Sequence, residues 1–251
     1  MSRVYWPIGV GRFSVCTNLL VPTRKFDEAT VEMMDRPQTV SAELLADLQN
    51  LQQLNRYFGS YRLVRYFLRR WFRPGSSLRV LDLCTGFGDI PRFMVDWCRA
   101  NDVTARITAV DFQPATLQLA MECSRSYPEI TFAVSDIFNF VPERPIDFAF
   151  CSLALHHFAD DGAIRLLQRA RSLAQNGVLI ADLERSDFGI AGIYLLTSCL
   201  YREPMTRFDA RLSFRRAFSF SEMHRLALAA GWQRFGHRRF PVCRQAVWLE
   251  S

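Results

Sequence analysis

The chain has 251 residues, 49% of them hydrophobic and 22% charged, enough apolar material for one large core and too much for a disordered chain. Its formal charge of +6 suits an anionic partner, yet Lys25 is the single lysine and arginine supplies every other basic residue, a bias that reflects codon composition more than nucleic-acid binding. The seven cysteines, at positions 16, 84, 98, 123, 151, 199 and 243, are odd in number and form no C-x-x-C pair, which argues against a disulfide framework or a zinc site and for buried thiols in the cytoplasm.

The first 40 residues carry Pro7, Pro22 and Pro37 and no clean period, so they read as an irregular arm. Arg3 is followed by Pro7, Gly9, Gly11 and Arg12, which leave no apolar run for a signal peptide. From Ser41, a plausible N-cap, apolar residues recur at helical spacing to Phe72, with a break at Gly59, so two helices precede the first strand. Residues 1–75 are thus an arm and helical cap, and 76–251 the main domain.

After Pro74-Gly75 the pattern changes. The runs LRVLDL, ARITAVDF, ITFAV, IDFAFCSL and GVLIADL are short apolar strands separated by helical segments. Such alternation predicts an α/β, doubly wound Rossmann-like sheet covered on both faces, with its ligand at the strands' carboxyl ends. Phe188–Tyr201 is the longest apolar run, shorter than the ~20 residues of a membrane-spanning helix. Its place after the fifth strand, within an insertion over 187–217, predicts a helical lid over an acceptor cavity. The tail adds a helix, with Ser221 as the expected N-cap and Gly231 beyond its end, then two strand-like runs, QRFGHRRFP and RQAVWLE.

The polar residues that end these strands form one set. Asp82 and the turn Thr85-Gly86-Phe87-Gly88 end the first strand, Asp111 the second; Asp136 follows the third, and Ser152 to His157 follow the fourth. A dinucleotide site would place a third small residue where Pro91 stands, and would not face a pyrophosphate with Asp82. The acid argues for a cationic or zwitterionic ligand, and an adenosyl group bearing an amino acid and a sulfonium fits. Asp82 can receive its ammonium, the backbone at Gly86 and Gly88 can approach it, and Asp111 can accept the ribose hydroxyls. Asp136 can accept the adenine amine while the Ile137 amide donates to the ring.

Asp82-x-Cys84-x-Gly86-x-Gly88 with the ordered Asp111 and Asp136 resembles the motifs of class I S-adenosylmethionine-dependent methyltransferases, over roughly Leu78 to the C-terminus. Cys84 replaces that family's first glycine, a small change provided position 84 has extended backbone. The wording DLCTGFGD is similar to the quinone-pathway C-methyltransferases, and MDRP and LNRYFG together with DLERS and SFRRAFS to methyltransferases of phenolic-lipid and polyketide pathways. The resemblance implies a seven-stranded sheet with an antiparallel last strand, and adds Thr85, Phe112 and Ser152 to the cofactor set. It also implies an acceptor pocket after the fourth strand, where His157 is the first candidate for a general base and His156 points toward the core or a cap. Asp182, Glu184 and Asp187 are second choices as base, and Phe188, Tyr194, Tyr201 and Phe208 suit a flat acceptor. Cys84 and Cys151 read as core, His224 and His237 as structural, and nothing in the sequence calls for a metal. A monomer or homodimer acting on a small molecule follows.

Two other readings stand beside this one. Arg62, Arg65, Arg69 and Arg73 at helical spacing would suit an RNA or other nucleic-acid methyltransferase, although such a stripe is more often a solvated helix face. A methyltransferase-like fold kept as an interaction module would not bind the cofactor at all.

Overall fold

A computed structural model describes residues 22–250; the expectations for Pro7, Gly9, Gly11 and Cys16 lie outside them. The seven strands are β1 (Ser77–Leu83), β2 (Thr104–Asp111), β3 (Ile130–Val134), β4 (Ile146–Ser152), β5 (Ala174–Leu183), β6 (Gly236–Phe240) and β7 (Arg244–Glu250). They form one sheet in the order β3-β2-β1-β4-β5-β7-β6. The pairs among β1 to β5 are parallel, and β7 runs antiparallel to β5 and β6. This is the Rossmann-like sheet with an antiparallel last strand that the motifs imply.

Alternation along the strands divides the core. Leu81, Leu83, Ala149, Cys151, Val178 and Ile180 face α5 (Asp160–Leu173) and α8 (Phe220–Ala229), while Val80, Phe148, Phe150 and Leu179 face α2 (Ser60–Trp71) and α3 (Asp89–Ala100). Each large side chain buried this way stabilises the fold by roughly 1.5–3 kcal/mol. On α2, Leu63, Val64, Phe67 and Leu68 are buried, whereas Arg62, Arg65 and Arg69, and Arg73 just past its end, are exposed. The arginine stripe is therefore the outer face of a sheet-covering helix. Beside it, Arg70 and the indole of Trp71 donate to Glu250 at the end of β7.

Strand order reverses between β1 and β4, and this opens a crevice at their carboxyl ends. Three segments cover it. The first half of α1 (Ala42–Tyr57) packs Leu44 and Leu48 on Phe87 and on α4 (Pro114–Cys123), and its end packs Leu54 among residues of α6 (Asp187–Leu200) and α7 (Pro204–Arg216). Ser41 caps α1 by accepting from the Leu44 amide, and Gly59, at φ 100°, turns the chain into α2. The third segment is the arm turn Met33–Asp35, whose Met33 and Met34 amides donate to the buried Asp209 of α7 at 2.7 and 3.0 Å.

The cap of α8 differs from the expectation. Ser219, not Ser221, is the N-cap: its hydroxyl accepts from the Glu222 amide while Glu222 Oε2 accepts from the Ser219 amide at 2.8 Å. That reciprocal pair needs a serine three residues before the glutamate, and Ser221 directly precedes it. Among the described residues no helix is long and apolar enough to cross a membrane.

Candidate active site

The glycine turn is shaped by left-handed backbone at Cys84 (φ 55°), Gly86 (φ 53°) and Gly88 (φ 68°). Position 84 is thus not extended, and cysteine bears a cost there of roughly 1–2 kcal/mol that glycine would not. Contacts nearby hold it: the Thr85 amide donates to the Val110 carbonyl at 2.9 Å. The two glycines do different work. A Cβ at Gly86 would meet nothing within 4 Å, so its open side is free for a ligand, whereas a Cβ at Gly88 would stand 3.0 Å from the Phe132 ring. Gly88 lets the turn pack on β3 and is not among the residues that line the cavity.

Asp82 is buried at the end of β1 and accepts from the Thr85 hydroxyl at 2.6 Å. Burial pushes its carboxyl up to about 7, with Asp89 and Asp111 adding to the rise and the Thr85 hydrogen bond opposing it. Asp111 accepts from the Gly86 amide at 2.8 Å and from the Gln113 amide at 3.0 Å, and burial raises its pKa despite both bonds. A carboxylate has about four lone-pair sites, so two such bonds leave capacity for a diol. Asp136 is exposed beyond β3 and accepts from the Phe138 amide at 3.0 Å and the Asn139 side chain at 3.1 Å.

One cavity of about 1490 Å³ is lined by Asp82, Thr85, Gly86, Asp111, Phe112, Asp136, Ile137 and Ser152 together with His156 and His157. Every candidate except Gly88 thus faces the same space. Cys84 also lines it, and its thiol is held up by Cys151 and by burial, which suits a packed thiol and not a nucleophile.

Both histidines lie in the short turn Leu155–His157. His156 is 2% exposed; its Nδ1 sits 2.7 Å from Asp182 Oδ1, and its backbone amide donates to Asp182 Oδ2 at 2.8 Å. It is anchored to the core as expected, but it lines the cavity as well. His157 Nδ1 lies 2.8 Å from Asp35, and both rings turn Nε2 toward the buried Glu32, at 3.6 Å for His156 and 3.8 Å for His157.

Charge follows from this packing. Burial opposes protonation of His157, but Glu32 and Asp35 outweigh it and raise its pKa to about 10. Burial also opposes ionisation of Glu32, but the histidines and the Ser213 hydroxyl bring its carboxyl down to about 2. At neutral pH the ligand-free cluster thus favours His157 as an imidazolium, which could act as a base only after giving up that proton. Of the second choices, Asp182 is engaged with His156 and Glu184 with Arg239 at the surface.

Sequence reasoning did not identify Glu32, Asp35, Asn55 or Asp89 as site residues. Asp89 is buried at the start of α3 and accepts from the Asn55 side chain at 3.1 Å, so α1 is tied to the glycine turn. Of the four aromatic residues expected at the acceptor, Phe188 lines the cavity and the other three do not. Phe188, Gly189, Gly192, Ile193 and Leu196 line the cavity, whereas Tyr194 and Phe208 line a separate outer pocket. Helical period turns Tyr194 to the opposite side of α6, where Arg211 and Arg215 lie over its ring at 4.5 and 5.1 Å. Tyr201 is buried among residues of α1, α6 and α7.

Residues 80–177 match a family model described as a methyltransferase domain. No curated protein sequence matches the chain. Solved structures share its fold: the plantazolicin methyltransferase BpumL in complex with SAH has a TM-score of 0.62 at 13% identity, over 84% of this chain and 91% of that one. A SAM-dependent methyltransferase from Aquifex aeolicus has a TM-score of 0.58 at 16% identity, over 81% and 96%. Human N-acetylserotonin methyltransferase in complex with SAM has a TM-score of 0.57 at 18% identity, over 81% of this chain and 54% of that one. Residues 80–177 thus carry a methyltransferase domain, set within the fold of class I S-adenosylmethionine-dependent methyltransferases.

Proposed function

We propose that the enzyme methylates a small, enclosed acceptor, aromatic or polyketide-like, at an oxygen or a ring carbon, within small-molecule secondary metabolism. The observation that carries this reading is the single cavity that runs from the glycine turn to the two histidines beneath α6. Its volume of about 1490 Å³ exceeds the ~300–1,000 Å³ of a typical single-ligand pocket, leaving room for a cofactor and an acceptor. BpumL and the human enzyme, named for plantazolicin and N-acetylserotonin, share the fold. The unpaired thiols of the described cysteines suit a cytoplasmic enzyme.

The residues fit the cofactor. Asp82, a buried carboxyl without a cationic partner in its hydrogen bonding, suits the ammonium; the open side of Gly86 suits close approach; Asp111 suits the ribose diol. Asp136 and Ile137 serve the adenine, with Thr85, Phe112 and Ser152 around them, and Gly88 acts by shaping the turn. S-adenosylmethionine supplies an electrophilic methyl group at its sulfonium. The chain's part is to align the acceptor and exclude water, which can contribute ~7–11 kcal/mol. We assign the arm from residue 22 and α1 to a cap, 187–217 to a lid, and His157 with His156 to the acceptor end.

Incubation with isotopically labelled S-adenosylmethionine and a panel of phenols, quinols and RNA tests the reading. Label should pass to a small acceptor; label in RNA would favour the nucleic-acid alternative, which the exposed arginines of α2 alone support. Asp111→Ala should weaken cofactor binding by roughly 1–3 kcal/mol in calorimetry, and unchanged affinity in the folded variant would remove Asp111 from the site. Phe188→Ala and Leu196→Ala should change acceptor preference with cofactor affinity nearly intact, as judged by competition between acceptors of different size. Loss of cofactor binding in both would place α6 at the cofactor instead.

A further inference from the structure

We propose that Glu32, His156 and His157 bind a divalent first-row transition-metal ion through one carboxylate oxygen and the two Nε2 atoms. One ligand atom from each of the three residues lies within 4.8 Å of the others. His156 Nε2 is buried and has no hydrogen-bond partner among the described residues, yet it is aimed at Glu32 Oε1 from 3.6 Å. That separation is too long for a hydrogen bond. It suits two ligands of one ion, since atoms ~2.1 Å from a metal stand roughly 3.0–3.6 Å apart.

The surroundings match a metal centre more closely than a simple ion pair. Each histidine has its Nδ1 against a carboxylate, His156 on Asp182 at 2.7 Å and His157 on Asp35 at 2.8 Å. Carboxylate partners of this kind hold the proton on Nδ1 and set the ring's orientation, so that a metal binding at Nε2 displaces the second proton of the His157 imidazolium. Glu32 Oε1 also accepts from the Ser213 hydroxyl at 2.7 Å, which fixes the carboxylate in place. Two imidazoles and one carboxylate favour iron, zinc, cobalt or nickel over magnesium or calcium, which prefer all-oxygen sites. All three residues also line the cavity, so coordination positions not taken by protein would open toward the acceptor end.

The inference concerns the chain's own ligand set and is independent of which acceptor is methylated. Untagged protein, stripped with a chelator, is titrated with Co²⁺ and followed by visible absorption, with Mg²⁺ as competitor. One equivalent should bind and Mg²⁺ at the same concentration should not displace it. Glu32→Gln and His157→Ala should each weaken Co²⁺ binding at least tenfold, and Asp35→Asn, which removes only a supporting carboxylate, by about 10- to 100-fold. Circular dichroism and calorimetric binding of S-adenosylmethionine establish that each variant is folded, and they also separate failure of this site from failure of the methyltransferase reading. Absence of a saturable Co²⁺ spectrum in the wild-type protein overturns the proposal. Saturable binding that His157→Ala leaves intact does so too, whether or not Glu32→Gln folds.

Discussion

Asp82→Asn is expected to weaken S-adenosylmethionine binding by about 10- to 100-fold, the range of a lost charge-assisted hydrogen bond, and to raise the melting temperature of the ligand-free protein at pH 8. Both effects have one source. Burial moves the Asp82 carboxyl from 3.8 to about 7, so the folded, empty protein binds this proton more tightly than the unfolded chain does. The resulting stabilisation is complete below the ordinary carboxyl pKa and is lost as the pH rises through about 7. At pH 8 the empty site therefore holds a buried carboxylate close to Asp89 and Asp111. Asparagine removes that charge while its side-chain oxygen still accepts from Thr85.

The same shift predicts how binding responds to pH. Receiving an ammonium requires the ionised carboxylate, so wild-type affinity should rise between pH 6 and 8, by up to about tenfold for a group that titrates midway. Calorimetry on wild type and variant at both values, with thermal melts at pH 5 and 8, reads all of this. A variant that binds like wild type at pH 8 would mean that the ammonium sits elsewhere. A variant that melts no higher than wild type at pH 8 would mean that Asp82 is not strained by its charge.

The frame of this site was legible in the sequence because strands advertise themselves locally. An apolar run that ends in an acid, repeated in chain order, put Asp82, Asp111 and Asp136 at one sheet edge, and the sheet brings them there. The glycine turn was legible for the same reason, apart from the conformation of Cys84. A residue type can suggest left-handed backbone at glycine, but nothing local signals it at cysteine. The helical insertion after β5 was readable from its length and apolarity. Its inward face was not: α6 is apolar around most of its circumference, so periodicity could not decide between Tyr194 and Leu196.

Glu32 and Asp35 were hidden for a different reason. They lie in an arm without helical or strand period, more than a hundred residues before the histidines they meet. Their position depends on Asp209 of α7 receiving the Met33 and Met34 amides, and on Ser213 donating to Glu32. Only the folded α7 creates those partners. The protonation state of His157 is set by the same contacts, so the sequence could locate the histidine but not its charge.

His157→Ala should lower turnover ten- to a thousandfold, with cofactor affinity little changed. The expectation rests on position: His157 is 23% exposed, against 3% for the His156 side chain, and it faces the cavity from the turn that follows β4. Removing a group that acts on the reacting acceptor lowers kcat and kcat/KM together, whereas losing cofactor contacts would appear in cofactor binding. Stability needs a separate control, because His157 neutralises the buried Glu32 and the alanine variant leaves that carboxylate with less compensation. His157→Gln provides it, since the amide can still donate toward Glu32 or Asp35 but cannot carry an imidazole's proton or bind a metal as strongly. The glutamine variant should therefore melt closer to wild type than the alanine variant while remaining slow. His156→Ala should behave differently, with stability falling first, because the ring is anchored to Asp182 inside the core. Near-wild-type turnover in both His157 variants would remove this residue from the chemistry. Methyl transfer would then rest on alignment within the cavity alone, a contribution large enough to sustain an enzyme without help from this imidazole.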